Sequence, residues 1–352
     1  MKRMNLMGSP NTNQKPPDVV DQTVTAIFQA LLGRSPDEPE LARFEGELRA
    51  GLSLGRLLEE IVGSGEFNRR SPQRAEFVPA GHFYSVIPSG ETRADFLRRW
   101  PELRQRRELP GIALDHATLR SHFDRILKAI PTCPLPTEKA ESWRYHFENP
   151  AYSYGDGFSL YAMMLHLSPQ RIIEVGSGYS SALMLDINEC AFGNEIDITF
   201  IEPYPELLFS LFKPQDRERC RVLGRPVQEV DRATFGALEA NDILFIDSTH
   251  VAKLGSDVNY IFFEILSELK PGVCVHIHDI FWPFEYPPHW VEEGRAWNEA
   301  YLLRALLQHS RRFEILYFSD FMFMQEEKRI QENAPLLARN GGGHVWLRVR
   351  SV

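Results

Sequence analysis

Residues 171–181, RIIEVGSGYSS, constrain the fold more than any other part of the 352-residue chain. The β-branched residues within 172–175 form a short apolar run of the kind that fills the centre of a parallel sheet. Gly176 and Gly178 then allow the backbone to turn tightly and to come close to a ligand. Ser180 begins a helix pattern, and the first backbone N–H groups of a helix face whatever lies over the turn. The stretch therefore predicts a strand, a glycine turn and a helix that form one wall of a binding site.

Two acidic residues lie at the ends of the first two predicted strands, where doubly wound sheets bind their ligands. Glu174 lies just before the turn, and Glu202 follows the next apolar run, residues 198–201. An acid at the end of the second strand typically accepts hydrogen bonds from the ribose hydroxyls of a bound nucleotide. The dinucleotide fingerprint G-x-G-x-x-G needs a third glycine or alanine where this chain has Ser181. The pattern favours a ribose-containing ligand other than a dinucleotide, and the alternatives are another nucleotide or a purely structural turn.

Strand and helix patterns alternate from about residue 141 to the end of the chain. The predicted strands cover residues 171–175, 197–202, 219–223, 242–247, 272–278, 313–318 and 344–349. Helical patterns separate most of these strands. The alternation predicts an α/β domain at residues 141–352, built on a doubly wound and mostly parallel sheet.

The first part of the chain has a different character. Residues 1–18 are polar and contain three prolines but no apolar signal segment, which predicts a disordered leader. Apolar residues recur at helical spacing across residues 19–70, which predicts a small bundle of three short helices. We expect residues 71–140 to form a linker and lid. The bundle lacks a cluster of His, Cys or carboxylates suited to catalysis, so we expect it to serve protein docking or homo-oligomerisation.

Composition excludes several classes of protein. No apolar run approaches the ~20 residues that a membrane span requires. The formal net charge of -9 disfavours nucleic acid as the principal partner. The four cysteines lack C-x-x-C spacing, which argues against a zinc site or a disulfide framework and fits reduced thiols. We therefore expect a cytoplasmic protein whose principal partner is not a nucleic acid.

A second group of polar residues follows the fourth and fifth predicted strands, in the patterns I-D-S-T-H and V-H-I-H-D-I-F. The carboxyl ends of neighbouring parallel strands meet at one edge of a sheet, so we expect Asp247, His278 and Asp279 to lie together. Carboxylates and imidazole suit a divalent cation such as Mg²⁺, and His250 would be the proton acceptor. The alternative is that these residues only cap helices or hold loops. His276 points the same way as His278 by the period of two, so one of the two can be a core histidine.

The motifs together resemble a known family. E-x-G-x-G at residues 174–178 is similar to motif I of the class I S-adenosylmethionine-dependent methyltransferases. FIEPYP, NDILFIDSTHVAKLGSDVNY and VHIHDIFWPFEYP resemble one bacterial family of these enzymes that is often associated with glycan modification. The D-x-x-H pattern with a second acid after strand five resembles the metal-dependent sugar O-methyltransferases of macrolide biosynthesis, whose metal sits on the acids and whose base is the histidine. This chain departs from them, because it has His278 and Asp279 where they have two adjacent acids.

The resemblance implies a seven-stranded Rossmann-like sheet whose last strand is antiparallel beside the fifth, and a small all-α domain before it. Residues 28–67 resemble a helical domain of unknown function found in bacterial surface-associated and glycan-associated proteins. The implied activity is O-methylation of a sugar or polysaccharide hydroxyl. The alternatives are methyl transfer to a non-sugar small molecule and a non-catalytic nucleotide-binding assembly protein. The implied S-adenosylmethionine site comprises Asp156, Glu174, Gly176, Gly178, Tyr179, Ser180, Glu202 and Asp247.

Overall fold

Seven strands form one sheet in the order β3-β2-β1-β4-β5-β7-β6. In this computed structural model, which describes residues 19–70 and 77–351, the strands are β1 Arg171–Val175, β2 Asp197–Ile201, β3 Arg221–Leu223, β4 Ile243–Ile246, β5 Cys274–His278, β6 Phe313–Phe318 and β7 His344–Val349. Strands β1 to β5 pair in parallel, whereas β7 is antiparallel to both β5 and β6. The predicted seven-stranded, doubly wound sheet with an antiparallel last strand is confirmed.

The chain divides into two compact units, Met1–Val86 and Ile87–Val352. The predicted leader, residues 1–18, lies outside the described residues, as do residues 71–76 at the start of the predicted lid. The helices of the first unit are α1 Val19–Leu32, α2 Glu38–Arg49, α3 Leu54–Gly63 and α4 Gly65–Arg70. Asp37 and Glu40 form a capping box that starts α2, and the Ser53 side chain accepts the Arg56 N–H to start α3.

These helices share one apolar core. Phe28 of α1 and Phe44 of α2 meet edge to face with their ring centroids 5.6 Å apart, and Leu57 and Ile61 of α3 complete the contact. The periodic apolar pattern predicted three helices here, and α4 is an additional short helix.

The second unit surrounds the sheet with helices. They are α5 Gly90–Arg104, α6 His116–Ala129, α7 Tyr154–Leu167, α8 Tyr179–Phe192, α9 Glu206–Leu211, α10 Asp216–Arg219, α11 Arg232–Gly236, α12 Asp257–Tyr260, α13 Pro288–Glu292, α14 Glu299–Leu307, α15 Ser319–Gln325 and α16 Glu327–Asn333. A π-helical turn, Ile261–Ile265, continues α12. Helix α6 falls within the predicted lid, yet it buries Leu119, Phe123 and Ile126 in the core of this unit.

The sheet register brings the residues that follow β1, β2, β4 and β5 to one edge of the sheet. Val175 pairs with Ile201 on one side and with Ile246 on the other, and Ile246 pairs with Ile277. The residues that follow these positions therefore lie side by side beyond the carboxyl ends of the strands, where ligands of such sheets bind. Every residue of β4 and β5 is buried, as expected for strands covered on both faces. Within the described ranges, no helix is both long enough and apolar enough to cross a membrane.

Candidate active site

The glycine turn after β1 is held by the buried carboxyl group of Glu174. The hydroxyls of Ser180 and Ser181 donate to it at 2.6 and 2.5 Å. The oxygen of Ser181 also accepts the Gly178 N–H at 3.0 Å, so the carboxyl group, the hydroxyl and the turn form one chain of hydrogen bonds. Burial raises the pKa of Glu174 to about 8. Glu174 and Ser180, both predicted in the cofactor site, therefore act on the shape of the turn.

The two glycines of this turn are required for different reasons. Gly176 has φ +88°, and a Cβ built there would lie 1.8 Å from the carbonyl oxygen of Asp247. Gly178 has φ 171°, which any residue adopts, and its Cβ would meet Leu207 Cδ2 at an ordinary 3.6 Å. The packing of β1 against β4 thus demands glycine at position 176. At position 178 the neighbouring atoms leave room for a Cβ.

A cavity of about 410 Å³ opens beside the turn. Three of the residues predicted to bind the cofactor, Gly176, Glu202 and Asp247, line it, and Ile201 and Val227 add apolar surface. Its volume lies in the range of small-ligand pockets, which are mostly apolar with a few fixed polar groups. The predicted Tyr179 is half-buried at the start of α8, and its ring lies edge-on to His146.

Glu202 lines this cavity with part of its hydrogen-bonding capacity unused. Its two carboxylate oxygens accept the Tyr204 N–H at 2.9 Å and the Ser177 hydroxyl at 3.2 Å. A carboxylate has about four acceptor positions, so Glu202 retains capacity for two further donors. These two contacts also fix the orientation of the Glu202 carboxylate, because each of them holds one of its oxygens.

A cluster of acids and imidazole lies beyond β4 and β5. The Nε2 atom of His250 is 3.4 Å from a carboxylate oxygen of Asp247 and 3.4 Å from one of Asp279. One ligand atom from each of the three lies within 4.8 Å of the other two. Two carboxylates and an imidazole are a donor set that divalent cations accept. The residues present therefore fit a bound cation.

His278, the predicted third ligand, is enclosed beside this cluster. Its Nδ1 lies 3.4 Å from Asp247 and 3.5 Å from Asp279, and its Nε2 lies 3.6 Å from Asp156. Neither nitrogen makes a hydrogen bond to another described residue. The set of three groups that can share one ion contains His250 and not His278. His276 stacks on a buried phenylalanine ring at 4.0 Å, so it is the core histidine of the pair.

Asp156, predicted at the amino acid end of the cofactor, has protein partners in a buried network. Its Oδ1 lies 2.7 Å from His344 Nδ1 and accepts the Gly343 N–H at 3.0 Å. The other nitrogen of His344 lies 2.8 Å from the Ser159 hydroxyl. These contacts join the start of α7 to the start of β7. A contact between Asp156 and the cofactor stays a prediction.

Electrostatics in the cluster favour a positive charge among the acids. Burial by itself lowers the pKa of His250, but hydrogen bonds to Asp247 and Glu299 outweigh it and raise that pKa to about 10. Despite its own burial, Asp247 has a pKa held well below its usual range by His278 and His250. The carboxylates thus favour a positive charge among them, and a cation bound there would lower the pKa of His250 and leave Nε2 able to accept a proton. Sequence reasoning missed Glu299, because an acid in the first turn of a helix is ordinarily solvent-exposed.

Aromatic side chains border the cluster on the side of the loop after β5. The Trp297 ring lies 4.4 Å from the His250 ring, and Trp290 lies 5.0 Å from Trp297. Both tryptophans are half-buried. Trp282 and Phe284, from the same aromatic-rich stretch, are fully buried and pack in the core. The stretch thus divides into core residues and residues that reach the site.

Comparison with known proteins identifies the kind of domain that contains these residues. Residues 173–280 match the family described as a methyltransferase domain. An uncharacterized protein of Archaeoglobus fulgidus is 30% identical over 197 residues, which cover 53% of this chain and 86% of that protein.

Two solved structures are among those similar to this chain. One is the S-adenosylhomocysteine-bound methyltransferase of Podospora anserina, at 16% identity and a TM-score of 0.35, covering 76% of this chain and 99% of that one. The other is an O-methyltransferase of Streptomyces achromogenes involved in tomaymycin synthesis, in complex with S-adenosylmethionine, at 13% identity and a TM-score of 0.38, covering 68% and 92%. The matched methyltransferase domain runs from β1 through β5, within a sheet whose last strand is antiparallel. The chain belongs to one family with the Archaeoglobus fulgidus protein and carries a methyltransferase domain on a seven-stranded, Rossmann-like sheet.

Proposed function

We propose that the protein transfers a methyl group from S-adenosylmethionine to a hydroxyl of a sugar or polysaccharide, with a divalent cation at Asp247 and Asp279 and with His250 as proton acceptor. One observation carries the proposal. The Nε2 atom of His250 lies 3.4 Å from both carboxylates, beyond the strand ends that also border the cavity. A base, two acids and a cofactor-sized cavity are thus adjacent.

The cofactor would lie in the cavity over the glycine turn. Glu202 would accept hydrogen bonds from the ribose hydroxyls with its remaining acceptor positions. The first N–H groups of α8 would face the cofactor's carboxylate, because a helix N-terminus favours an anion. The amino acid part would lie over Gly178, where an added Cβ would meet Leu207 Cδ2 at 3.6 Å.

Methyl transfer would then be a direct displacement. The acceptor oxygen attacks the methyl carbon, a C–O bond forms, the C–S bond breaks, and the electron pair of that bond stays on sulfur as a neutral thioether. The hydroxyl proton goes to Nε2 of His250. A sugar hydroxyl has a pKa far above 7, so general-base assistance is valuable, typically by about 10²–10⁴-fold.

The cation has a separate role in this proposal. When bound, a divalent cation would orient the acceptor and lower the pKa of its hydroxyl. Nε2 cannot bind the cation and take the proton at once. We assign it the proton, because hard cations such as Mg²⁺ are often held by one or two carboxylates together with water and substrate oxygens.

The aromatic surface beside His250 supports a sugar as the acceptor. The half-buried rings of Trp297 and Trp290 would pack against the apolar face of a sugar. The second candidate is a non-sugar aromatic alcohol, which the same rings would stack against. A non-catalytic nucleotide-binding protein would need none of the groups around His250.

Calorimetric titration with S-adenosylmethionine, S-adenosylhomocysteine and NAD tests the cofactor. We expect the first two to bind and NAD not to bind. Transfer of labelled methyl from S-adenosylmethionine to a panel of mono- and oligosaccharides, with a catechol as comparison, tests the acceptor. Reactions in EDTA and after addition of Mg²⁺ test the cation. No binding of either adenosyl compound would overturn the proposal, and methylation of the catechol alone would favour the second candidate.

A further inference from the structure

The loop that carries His250 is clamped by the start of α14. His250 has φ 61°, a left-handed conformation that L residues adopt only when their surroundings hold them there. Its carbonyl oxygen accepts the N–H groups of Asn298 and Glu299 at 3.1 and 3.2 Å. The Asn298 side chain accepts the Ala252 N–H at 2.6 Å and donates to the Ala252 carbonyl at 3.2 Å. The loop is thus fixed by main-chain contacts at His250 and two residues later.

The imidazole ring is fixed as well. A carboxylate oxygen of Glu299, a residue only 1% exposed, lies 2.9 Å from His250 Nδ1. A carboxylate can only accept, so the hydrogen of this bond is on Nδ1 and the exchangeable position is Nε2. The Trp297 ring covers the imidazole at 4.4 Å. Rotation of the ring would break the Glu299 contact and displace Trp297.

Glu299 has no other hydrogen-bonding task in the described part of the chain. Its second carboxylate oxygen is buried and has no hydrogen-bond partner there. Buried carboxyl groups that serve only the fold usually satisfy both oxygens. Asp242 is such a case, because its two oxygens accept the N–H groups of Gln170, Arg171 and Glu239. The Glu299 side chain therefore makes its one hydrogen bond in the described part of the chain to His250.

We infer that Glu299 is a positioning residue for His250: it holds the hydrogen on Nδ1 and turns Nε2 toward Asp247 and Asp279. The effect on catalysis rests on the proposed function, whereas the orientation of the ring rests on these contacts alone. Acids that orient a histidine in this way typically change metal affinity or activity by about 10–100-fold when they are replaced.

Nitrogen NMR of the histidine rings, in protein without ligands, tests the orientation directly. The signal of His250 is assigned by its loss in His250→Asn. We expect a slowly exchanging Nδ1–H in the wild type and in Glu299→Gln, whose amide oxygen still accepts. We expect its loss in Glu299→Ala. Should that variant fail to fold, Glu299→Asp withdraws the carboxylate by one methylene and should weaken the same signal.

Kinetics supply the second measurement. Glu299→Ala should lower kcat by about 10–100-fold, with KM for S-adenosylmethionine within about twofold, and Glu299→Gln should restore most of kcat. Asp242→Asn is the matched control, since Asp242 is buried at the opposite end of β4. It should lower stability and leave kcat unchanged.

These outcomes distinguish a failure of the positioning role of Glu299 from a failure of the proposed function. An unchanged Nδ1–H in both Glu299→Ala and Glu299→Asp would overturn the positioning role, as would a kcat that falls equally in Asp242→Asn. A wild-type protein that methylates no acceptor would count against the proposed function. The NMR measurement would still decide whether Glu299 orients His250.

Discussion

Substituting alanine at Gly176 should damage the protein far more than the same change at Gly178. The Cβ of Gly176→Ala would lie 1.8 Å from the Asp247 carbonyl oxygen, so β1 and β4 would have to separate at the site. The left-handed backbone adds about 1–2 kcal/mol for a residue with a Cβ. Overpacking of this kind adds about 1–3 kcal/mol. Together we expect a loss of about 2–5 kcal/mol in the free energy of unfolding.

Gly178→Ala is the matched control within the same turn. Its backbone is extended and its Cβ would make one ordinary contact, at 3.6 Å with Leu207. The free energy of unfolding should therefore change by less than about 0.5 kcal/mol. A larger side chain in Gly178→Val would fill the space assigned to the cofactor, so that variant should fold normally and bind S-adenosylmethionine weakly.

Urea unfolding followed by tryptophan fluorescence measures the free energy of unfolding of both variants in the unit that contains the sheet. All six tryptophans lie in the second compact unit, Ile87–Val352, so the signal reports on the sheet and not on the N-terminal helices. In a thermal scan the loss at Gly176 should appear as roughly 5–15 °C. Equal destabilisation by the two alanine variants, or wild-type stability for Gly176→Ala, would refute the close approach of β1 and β4.

Three further predictions follow from the site. Glu202→Ala should weaken S-adenosylmethionine binding by about 1–3 kcal/mol in a calorimetric titration, because the ribose hydroxyls would lose their acceptor. His250→Ala should lower kcat by about 10²–10⁴-fold and leave cofactor affinity nearly intact, and EDTA should inhibit the wild type until Mg²⁺ is restored. Glu174→Gln should change the pH dependence of stability. The folded pKa of Glu174 is raised from 4.5 to about 8, so its contribution is fully present below pH 4.5 and is lost as pH rises toward 8. Between pH 5 and 8 the variant should gain roughly 2–4 kcal/mol relative to the wild type in urea unfolding.

Each of these predictions can fail independently. Unchanged affinity in Glu202→Ala would remove that residue from the ribose site. Full activity in chelator would eliminate the cation, and an unchanged kcat in His250→Ala would return the cluster to a structural role. Parallel stability curves for Glu174→Gln and the wild type would mean that Glu174 titrates normally.

Much of the fold follows from local pattern. The apolar run before Gly176 and the alternation of strand and helix patterns are enough to predict the parallel sheet, and β1 and β6 have the predicted bounds. The antiparallel position of β7 came from the family resemblance, since periodicity does not encode strand direction. The disordered leader and the docking role of the N-terminal helices stay predictions.

The arrangement at the site depended on contacts that local pattern cannot encode. The period of two put His276 and His278 on one face, but it could not predict that the left-handed conformation at His250 brings that ring between Asp247 and Asp279. It also gave no reason to separate Gly176 from Gly178. The position of the His250 ring and the constraint at Gly176 both depend on contacts between segments that are far apart in sequence.

Sequence by itself determined which residues stand at the ends of the strands, because side chains alternate along a strand and buried runs must be apolar. Tertiary structure alone decided which of them meet. Glu299 begins a helix whose pattern is ordinary, and it becomes a partner of His250 only because α14 packs its first turn against the loop after β4. A hydrogen bond forms only when two groups come within about 3 Å of each other. Because the fold brings Glu299 to His250 from a distant segment, local sequence periodicity does not predict their contact.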